Sequence, residues 1–237
     1  MKIIKKIVTP CVTGMSLLLS PMVFSDAKDD PLLFMVNIDQ LEKRNGDEDP
    51  VVLEAQAWAG YDLHKLWVKT EVERVDDKYE EVEWQLLYSR AISPFWNLEL
   101  GVRNNSIPRP ERNWSVIGLH GLAPYYFEID SALFIGESGR SALRFEAEYE
   151  LMLTQRWVLV PELELNFFGQ TDEETEAGSG LANSELGLRL AYEIRREFAP
   201  YIGVNWEKKY GKTADFAEAE GESTDDTQVV IGVSVWF

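Results

Sequence analysis

Apolar and polar residues alternate along the chain with a period of two, and this alternation restricts its possible folds more than any other feature. In the final stretch, VVIGVSVWF, the side chains of Val229, Ile231, Val233, Val235 and Phe237 fall on one face of a strand. Such a period indicates a β-strand with one apolar face. Because the rest of the chain is rich in acidic residues, the question is which solvent that face meets.

The same alternation recurs in twelve segments, and no helical periodicity of comparable strength competes with it. In KLWVKTEVE, for example, Leu66 and Val68 lie on one face, and Lys69 and Glu71 lie on the other. The segments begin near Leu33, Val52, Lys65, Glu80, Trp96, Asn113, Tyr126, Ser141, Arg156, Ser184, Tyr201 and Thr227. The sequence therefore predicts an all-β chain.

The connections between these segments alternate in character. Compact aromatic turns, such as SRAISPF, LAPYY and LMLTQ, alternate with polar and mostly longer loops, such as EKRNGDEDP, FGQTDEETEAGSGLAN and the stretch 208–226. Short turns at one end and longer loops at the other are typical of outer-membrane barrels. An even number of strands would leave both termini at the short-turn end.

We therefore predict a closed antiparallel up-and-down transmembrane β-barrel of about 12 strands, located in the outer membrane of a Gram-negative bacterium. Its apolar face meets the membrane lipid, and pairing of the last strand with the first leaves no exposed edge. A soluble β-sandwich is the alternative, but it does not explain why charges line one face strand after strand.

Aromatic residues cluster beside the compact turns, at the depth where lipid headgroups would lie. They are Tyr88, Phe95, Trp96, Tyr125, Tyr126, Phe127, Trp157, Phe198, Tyr201, Trp236 and Phe237. We expect them to form an aromatic girdle at the short-turn end.

The N-terminus has the features of a secretory signal peptide. Lys2, Lys5 and Lys6 precede an apolar stretch too short to span a bilayer, and the small residue Ser25 fits the cleavage rule. We predict a signal peptide at 1–25, a short linker at 26–32 and the barrel at 33–237. The only cysteine, Cys11, lies in the signal, so the mature chain has no thiolate catalysis, disulfide or cysteine zinc site.

Charge on the polar face predicts the chemistry of the lumen. Removal of the signal moves the formal net charge from −18 to −21, which argues against nucleic acid as a partner. The predicted lumen-lining residues are Glu71, Glu83, Glu99, Arg103, Glu128, Asp130, Arg144, Glu146, Glu148, Glu162, Glu164 and Arg189. This excess of carboxylates indicates either a cation-attracting passage or hard-cation site, or a mesh of ion pairs that fills a narrow barrel.

Catalysis has little support in the sequence. His64 and His120 are the only imidazoles, and neither accompanies a nucleophile elbow or a metal-binding histidine pair. We expect no catalytic residue and no enzymatic activity. An outer-membrane hydrolase whose serine and histidine meet only in space, and a soluble periplasmic binder, are the remaining hypotheses.

Several stretches resemble the copper resistance protein B family, among them LEAQAWAGYDLHKLWVKTEVE, LLYSRAISPFWNLELGVR and GSGLANSELGLRLAYEIRREFAPYIGVNWEKKYGKTADFA. The resemblance runs from about Asp39 to Phe237. It implies an outer-membrane barrel that takes part in copper tolerance, with copper ions and periplasmic copper-handling proteins as partners.

One departure from that family concerns the copper ligands. Family members commonly carry a long segment rich in Met and His ahead of the barrel, whereas only residues 26–32 separate the predicted signal from the first strand here. Thioether and imidazole are the ligands expected for copper, so the candidates in this chain are His64, His120, Met35 and Met152. The leading hypothesis is a barrel that binds copper or passes it across the outer membrane. The alternative is a general cation-selective pore or a structural barrel with no copper specificity.

Overall fold

The structure is a computed structural model that describes residues 30–45, 49–75 and 78–237. The predicted signal peptide at 1–25 lies outside the described residues, and so does most of the predicted linker at 26–32. Across the described ranges, no helix is both long and apolar enough to cross a membrane. Residues Leu32–Phe237 belong to one structural unit.

Each of the twelve segments predicted from the alternation contains a β-strand. The strands are β1 (Leu33–Asn45), β2 (Val51–Gly60), β3 (His64–Val75), β4 (Lys78–Ser93), β5 (Trp96–Ile107), β6 (Arg112–Leu122), β7 (Glu128–Gly136), β8 (Ser141–Glu148), β9 (Leu151–Met152), β10 (Trp157–Phe168), β11 (Gly180–Tyr192), β12 (Phe198–Lys209) and β13 (Asp225–Trp236). Valine, leucine and aromatic residues at alternate positions suit these pleated strands, because one face of each strand is apolar.

The strands close into a barrel. Neighbours along the chain pair antiparallel, and β13 pairs with β1, placing Trp236 opposite Asn37 and Val229 opposite Asn45. The short strand β9 lies on β10 in the same register as β8, since Leu151 opposes Leu159 just as Glu148 opposes Glu162. The strands β8 and β9 are thus two parts of one barrel strand. The prediction of an all-β closed antiparallel barrel of twelve strands is confirmed.

The two faces of each strand differ in the way that the alternation predicts. On β12 and β13, the outward side chains of Ile202, Val229 and Ile231 are exposed, whereas Asn205 and Val230 point inward and are fully buried. Outward apolar side chains in neighbouring strands form a continuous band, for which lipid is the favourable solvent. The terminal stretch quoted above contributes to this band.

The aromatic girdle needs two corrections. Of the predicted members, Tyr88, Phe95, Tyr125, Tyr126, Phe127, Trp157, Phe198 and Phe237 are exposed near the short turns. Tyr201 instead points into the barrel, where it is 6% exposed and donates a hydrogen bond to Glu42. Trp236 also lines the interior, on the same face of β13 as Ser234. The spacing of the strands explains both, because Ile202 and Val235 beside them take the outward positions.

Apolar side chains also pack inside the barrel, on the wall formed by β3 to β8. This interior apolar cluster consists of Trp67, Leu87, Trp114, Val116, Ala132, Phe134 and Ala142. Trp114 lies directly on Gly136, where an added Cβ would be 2.8 Å from the ring. The cluster covers part of this wall, and charged side chains of the same strands, such as Glu83 and Glu99, also point inward.

Strand β1 extends further than the sequence predicts. The stretch EKRNGDEDP was expected to be a loop, but its first four residues belong to β1, and Glu42 and Arg44 point inward and are buried. A bulge between Ile38 and Leu41 changes the inward set of β1, so that Gln40 is followed inward by Glu42 and Arg44. The expected loop therefore contributes two charged groups to the lumen.

The long-loop end carries a helix that the alternation does not predict. Within the expected loop 208–226, α1 spans Gly211–Glu220 and ends at Gly221, whose φ of 86° allows its N–H to cap the helix. The sequence KTADFAEAE contains good helix formers at most positions, which favours a helix locally. Buried Ala217 holds α1 against the barrel.

Substitution on the lipid face tests the assignment of the two faces. Leu188→Arg places a charge in the middle of β11 on its outward face, and we expect it to lower the free energy of unfolding by about 2–4 kcal/mol. Ile194→Arg, in the exposed turn after β11, should lower it by about 0–1 kcal/mol. Chemical denaturation of the protein in lipid vesicles measures both. Equal losses at the two positions would contradict the assignment.

Candidate functional site

Among the described residues, two cavities of the lumen have many charged side chains in their linings. The larger, of about 730 Å³, lies toward the short-turn end and has thirteen acidic side chains in its lining against five from lysine and arginine. The smaller, of about 290 Å³, lies toward the long-loop end. A polar interior of this kind is what a closed barrel with a lipid-facing apolar band must contain.

The structure places the predicted lumen-lining residues on these cavity walls. The larger cavity is lined by Glu71, Glu83, Glu99, Glu128, Asp130, Arg144, Glu146, Glu148, Glu162, Glu164 and Arg189. Arg103 lines the smaller one. Three of these residues, Glu71, Arg144 and Glu164, line both cavities and so mark the boundary between them.

Carboxylates stand directly opposite one another across successive strands. In the pairing from β7 to β12, Asp130 opposes Glu146, Glu146 opposes Glu164, Glu164 opposes Glu185, and Glu185 opposes Glu207. Like charges directly opposite each other destabilise a sheet unless cations offset them. Lys69, Arg144 and Arg44 lie within 4 Å of ladder carboxylates, so five acids face three cations. This carboxylate ladder keeps an excess of negative charge, which attracts cations.

One group of ion pairs crosses the lumen. Arg144 on β8 reaches Glu71 on β3 at 3.2 Å and Glu83 on β4 at 3.2 Å. Glu83 also accepts a contact of 2.5 Å from Arg103, and Arg144 lies 3.5 Å from Glu164 on its own side. We call these five residues the Arg144 cluster. Glu83 is almost fully buried, so it depends on the two arginines for compensation of its charge.

A second group of ion pairs runs along the wall between β10 and β1. Arg189 lies 3.0 Å from Glu42 and 2.5 Å from Glu162, and it donates to Gln40 at 2.6 Å. Tyr201 donates to the same oxygen of Glu42 at 3.0 Å, and Arg44 donates to its other oxygen at 2.8 Å. We call these residues the Arg189 cluster. The side chain of Glu42 has no exposed surface, so the cluster depends on its hydrogen bonds.

A third group surrounds Lys69 in the larger cavity. The Lys69 ammonium lies 2.5 Å from Asp130 and 3.5 Å from Glu99. His120 on β6 lies beside the same carboxylate, with Nδ1 3.5 Å from Asp130 Oδ2. Among the described residues, Glu99 Oε1, His120 Nδ1 and Trp67 Nε1 are buried without a hydrogen-bond partner. This part of the cavity therefore has unused acceptor and donor capacity.

The structure separates the four candidate copper ligands into two pairs. Met35 and His120 both line the larger cavity. Met35 opposes Trp58 in the sheet, the Trp58 ring lies 6.0 Å from the Trp67 ring, and the Trp67 ring lies 6.0 Å from the His120 ring. Two indoles thus lie between the thioether and the imidazole.

The other two candidates lie outside that cavity. His64 is exposed at the start of β3, and its Nδ1 lies 2.5 Å from the hydroxyl of Tyr88, a girdle residue. Met152 lies in β9 near a short turn and is 57% exposed. Neither residue contacts the carboxylates of the lumen in the described structure.

Three carboxylates come close together near the boundary between the cavities. Oxygen atoms of Glu71, Glu81 and Glu83 lie within 4.8 Å of one another, which is a spacing that a metal ion can bridge. Arg144 and Arg103 already neutralise two of the three, however. Two of these carboxylates, Glu71 and Glu83, belong to the Arg144 cluster, and Glu81 lies beside them.

The loop between β10 and β11 covers the long-loop mouth. Asp172 in this loop accepts two hydrogen bonds from Arg112, at 2.9 and 3.1 Å, and lies 3.0 Å from Arg140. Partial burial opposes ionisation of Asp172, but the hydrogen bonds and charge of Arg112 outweigh it and keep the pKa of this carboxyl below its ordinary value. Because folding lowers this pKa, the contact stabilises the fold at neutral pH and is lost as the pH falls through the acidic range.

Sequence reasoning did not assign Gln40, Glu42 and Arg44 to the lumen. These residues alternate with Leu41 and Lys43, so the period of two continues beyond the expected end of β1. Because the residues that follow are mostly polar, the stretch was instead expected to be a loop. The cross-lumen contacts of Arg144 depend on the register of distant strands, which no local pattern contains.

Comparisons with known proteins agree with this geometry. A family model described as copper resistance protein B precursor matches residues 32–237. Copper resistance protein B of Escherichia coli is 43% identical over 210 residues, covering 88% of this chain and 71% of the relative. The copper resistance protein B homolog of Pseudomonas syringae pv. tomato is 40% identical over 200 residues, covering 84% of this chain and 68% of that protein.

Two solved structures of outer-membrane porins have a similar fold. The NanC porin has a TM-score of 0.56 at 14% identity, covering 86% of this chain and 99% of the porin. The KdgM porin has a TM-score of 0.51 at 12% identity, with the same shares covered. At these identities the likeness concerns the fold.

Loss of the central cation tests the role of the Arg189 cluster. Arg189→Ala removes the salt bridge to Glu162 and two hydrogen bonds to the buried Glu42, which keeps Arg44 as its remaining cation. We expect the free energy of unfolding to fall by about 3–5 kcal/mol, because buried carboxylates lose compensating charge. Lys43→Ala removes the partner of Asp49 from a pair that is more than half exposed, and should cost at most about 1 kcal/mol. Guanidinium denaturation followed by tryptophan fluorescence measures both. A loss for Arg189→Ala as small as the control's would show that the cluster does not stabilise the barrel.

Proposed function

Because this chain belongs to the copper resistance protein B family and is an outer-membrane β-barrel, we propose that its lumen takes up copper ions as cargo and binds them in the larger cavity. The lining of that cavity carries the proposal, since thirteen carboxylates outnumber five lysines and arginines and surround His120 and Met35. The family name, with the copper resistance of its relatives, supports copper as the ion.

The first step of the proposed mechanism is electrostatic. The carboxylate ladder runs across neighbouring strands and is offset by few cations, so the lumen wall attracts a divalent ion more strongly than a monovalent one. Copper enters this field as a hydrated cation. The field concentrates the ion but does not distinguish copper from other metals.

The second step uses donor atoms that select copper. Cu(II) prefers nitrogen and oxygen donors. His120 Nδ1 and Glu99 Oε1 are such donor atoms, and both are buried without a hydrogen-bond partner. Lys69 holds the intervening position between Glu99 and Asp130. Binding of Cu(II) beside His120 therefore displaces the Lys69 ammonium, and the ion takes over its charge.

Copper that enters already as Cu(I) uses a different donor, so no change of oxidation state takes place in the lumen. Cu(I) favours soft thioether donors, and Met35 is the methionine on the wall of the larger cavity. It lies at the short-turn end, which faces the periplasm if the barrel follows the usual orientation. From there copper is released to periplasmic copper-handling proteins, a partner class that stays a prediction.

A general cation-selective pore is the second candidate function. The observation that favours it is that the negative field comes from carboxylates, which bind many cations. One imidazole and one thioether line the larger cavity within the described residues, which is a sparse donor set for copper. The expectation that the chain is not an enzyme also stays a prediction.

Metal titration of the folded, detergent-solubilised barrel distinguishes the two candidates. We expect Cu(II) to bind more tightly than Zn²⁺ and His120→Ala to weaken Cu(II) binding about tenfold or more, because it removes a nitrogen donor. His64→Ala is the matched control, since His64 lies at the girdle. Met35→Leu should weaken Cu(I) binding, whereas Met152→Leu should not.

Two outcomes would contradict copper binding by the lumen. One is equal affinity for Cu(I), Cu(II) and Zn²⁺, which favours the general pore. The other is an equal loss of Cu(II) affinity in His64→Ala and His120→Ala, which would locate the ion outside the larger cavity.

A further inference from the structure

We propose that Arg144 is a crossbar that closes the lumen between the two cavities and must leave its partners before ions can pass. This inference concerns any ion, with or without copper. It rests on the geometry of the lumen and goes beyond the binding of copper in the larger cavity.

The contacts of Arg144 span the barrel. The residue lies on β8, whereas its partners Glu71 and Glu83 lie on β3 and β4, five and four strands away along the sheet. Both contacts are 3.2 Å long, and the Arg144 side chain is 11% exposed. A side chain that joins distant strands of a closed barrel passes through its interior.

The position of these contacts coincides with the boundary between the cavities. Glu71 and Arg144 line the larger and the smaller cavity, and so does Glu164, which lies 3.5 Å from Arg144 on its own side. The crossbar therefore has a cavity on each of its faces. The interior apolar cluster lies on β3 to β8, the strands between the two ends of the crossbar.

The Arg189 cluster differs from the crossbar in this respect. Arg189 on β11 contacts Glu162 on the adjacent strand β10 and Glu42 on β1, three strands away in the other direction. Each of its contacts spans fewer strands than the contact from Arg144 to Glu71. We therefore expect removal of Arg189 to affect mainly stability, and removal of Arg144 to open a path through the lumen.

Charge balance allows the crossbar to move. When Arg144 leaves Glu83, that carboxylate keeps its 2.5 Å contact with Arg103, so it does not become a buried unpaired charge. Glu71 loses its partner, but it faces a cavity on both sides, and a passing cation neutralises it. Cations therefore open the barrier more readily than anions, because the Glu71 carboxylate released by Arg144 attracts cations and repels anions.

Single-channel recording of the full mature chain in planar bilayers with KCl and no copper tests the crossbar. We expect low conductance for the wild type and an increase by a factor of about three or more for Arg144→Ala, because the barrier inside the pore is removed. Arg103→Ala should give a much smaller increase, since Arg103 and Glu83 lie on adjacent strands of one wall. Arg156→Ala, at an exposed short turn, should leave the conductance unchanged.

Heat-modifiable mobility on gels shows which variants are folded. If Arg144→Ala does not fold, Arg144→Asn keeps a polar group but is too short to reach Glu71 on β3 or Glu83 on β4, and it should also raise the conductance. Wild-type conductance in whichever of these two variants folds would overturn the proposal. Equal increases in Arg103→Ala and Arg144→Ala would also overturn it, because they would reflect loss of positive charge and not loss of a crossbar.

Discussion

Backbone N–H and C=O groups in the hydrocarbon core of a membrane have no water to bond with, so each must find its partner within the protein. In this chain the pairing of β13 with β1 meets that requirement, since it converts an open sheet into a ring without free edges. Closure of the ring also determines what each face of a strand contacts. Once the ring exists, every strand has one face toward lipid and one toward an enclosed interior, and alternation becomes the only sequence pattern that both solvents tolerate.

The enclosed interior then has to accommodate the polar half of each strand. This chain does so in two ways. Aromatic and aliphatic side chains pack around Phe134 on β3 to β8, and carboxylates stand in register from β7 to β12 with fewer cations than would match them. The arginines that are present are used at buried positions, where Glu42 and Glu83 need them most. Unmatched negative charge is left for mobile cations, which connects the architecture with a role in handling metal ions.

The strands and most of their inward faces could be predicted from sequence, because a period of two is a local property. The features that were not predicted depend on interactions that a local pattern does not contain. A bulge in β1 changes which residues point inward and brings Glu42 into the lumen. Helix α1 forms in a polar stretch whose alanines and glutamates favour a helix and whose end is capped by Gly221. The partners of Arg144 and Arg189 depend on which strands face each other across the ring, and that follows from the stagger of all the strands together.

The interior apolar cluster has a consequence for the electrostatics of the lumen. Its rings share strands β3 to β8 with Lys69, Glu83 and Asp130, so hydrocarbon lies beside charged groups inside the barrel. A low-dielectric surface next to a charge strengthens the field of that charge, since less water is present to screen it. A twelve-stranded ring lined only with polar side chains would lack that strengthening.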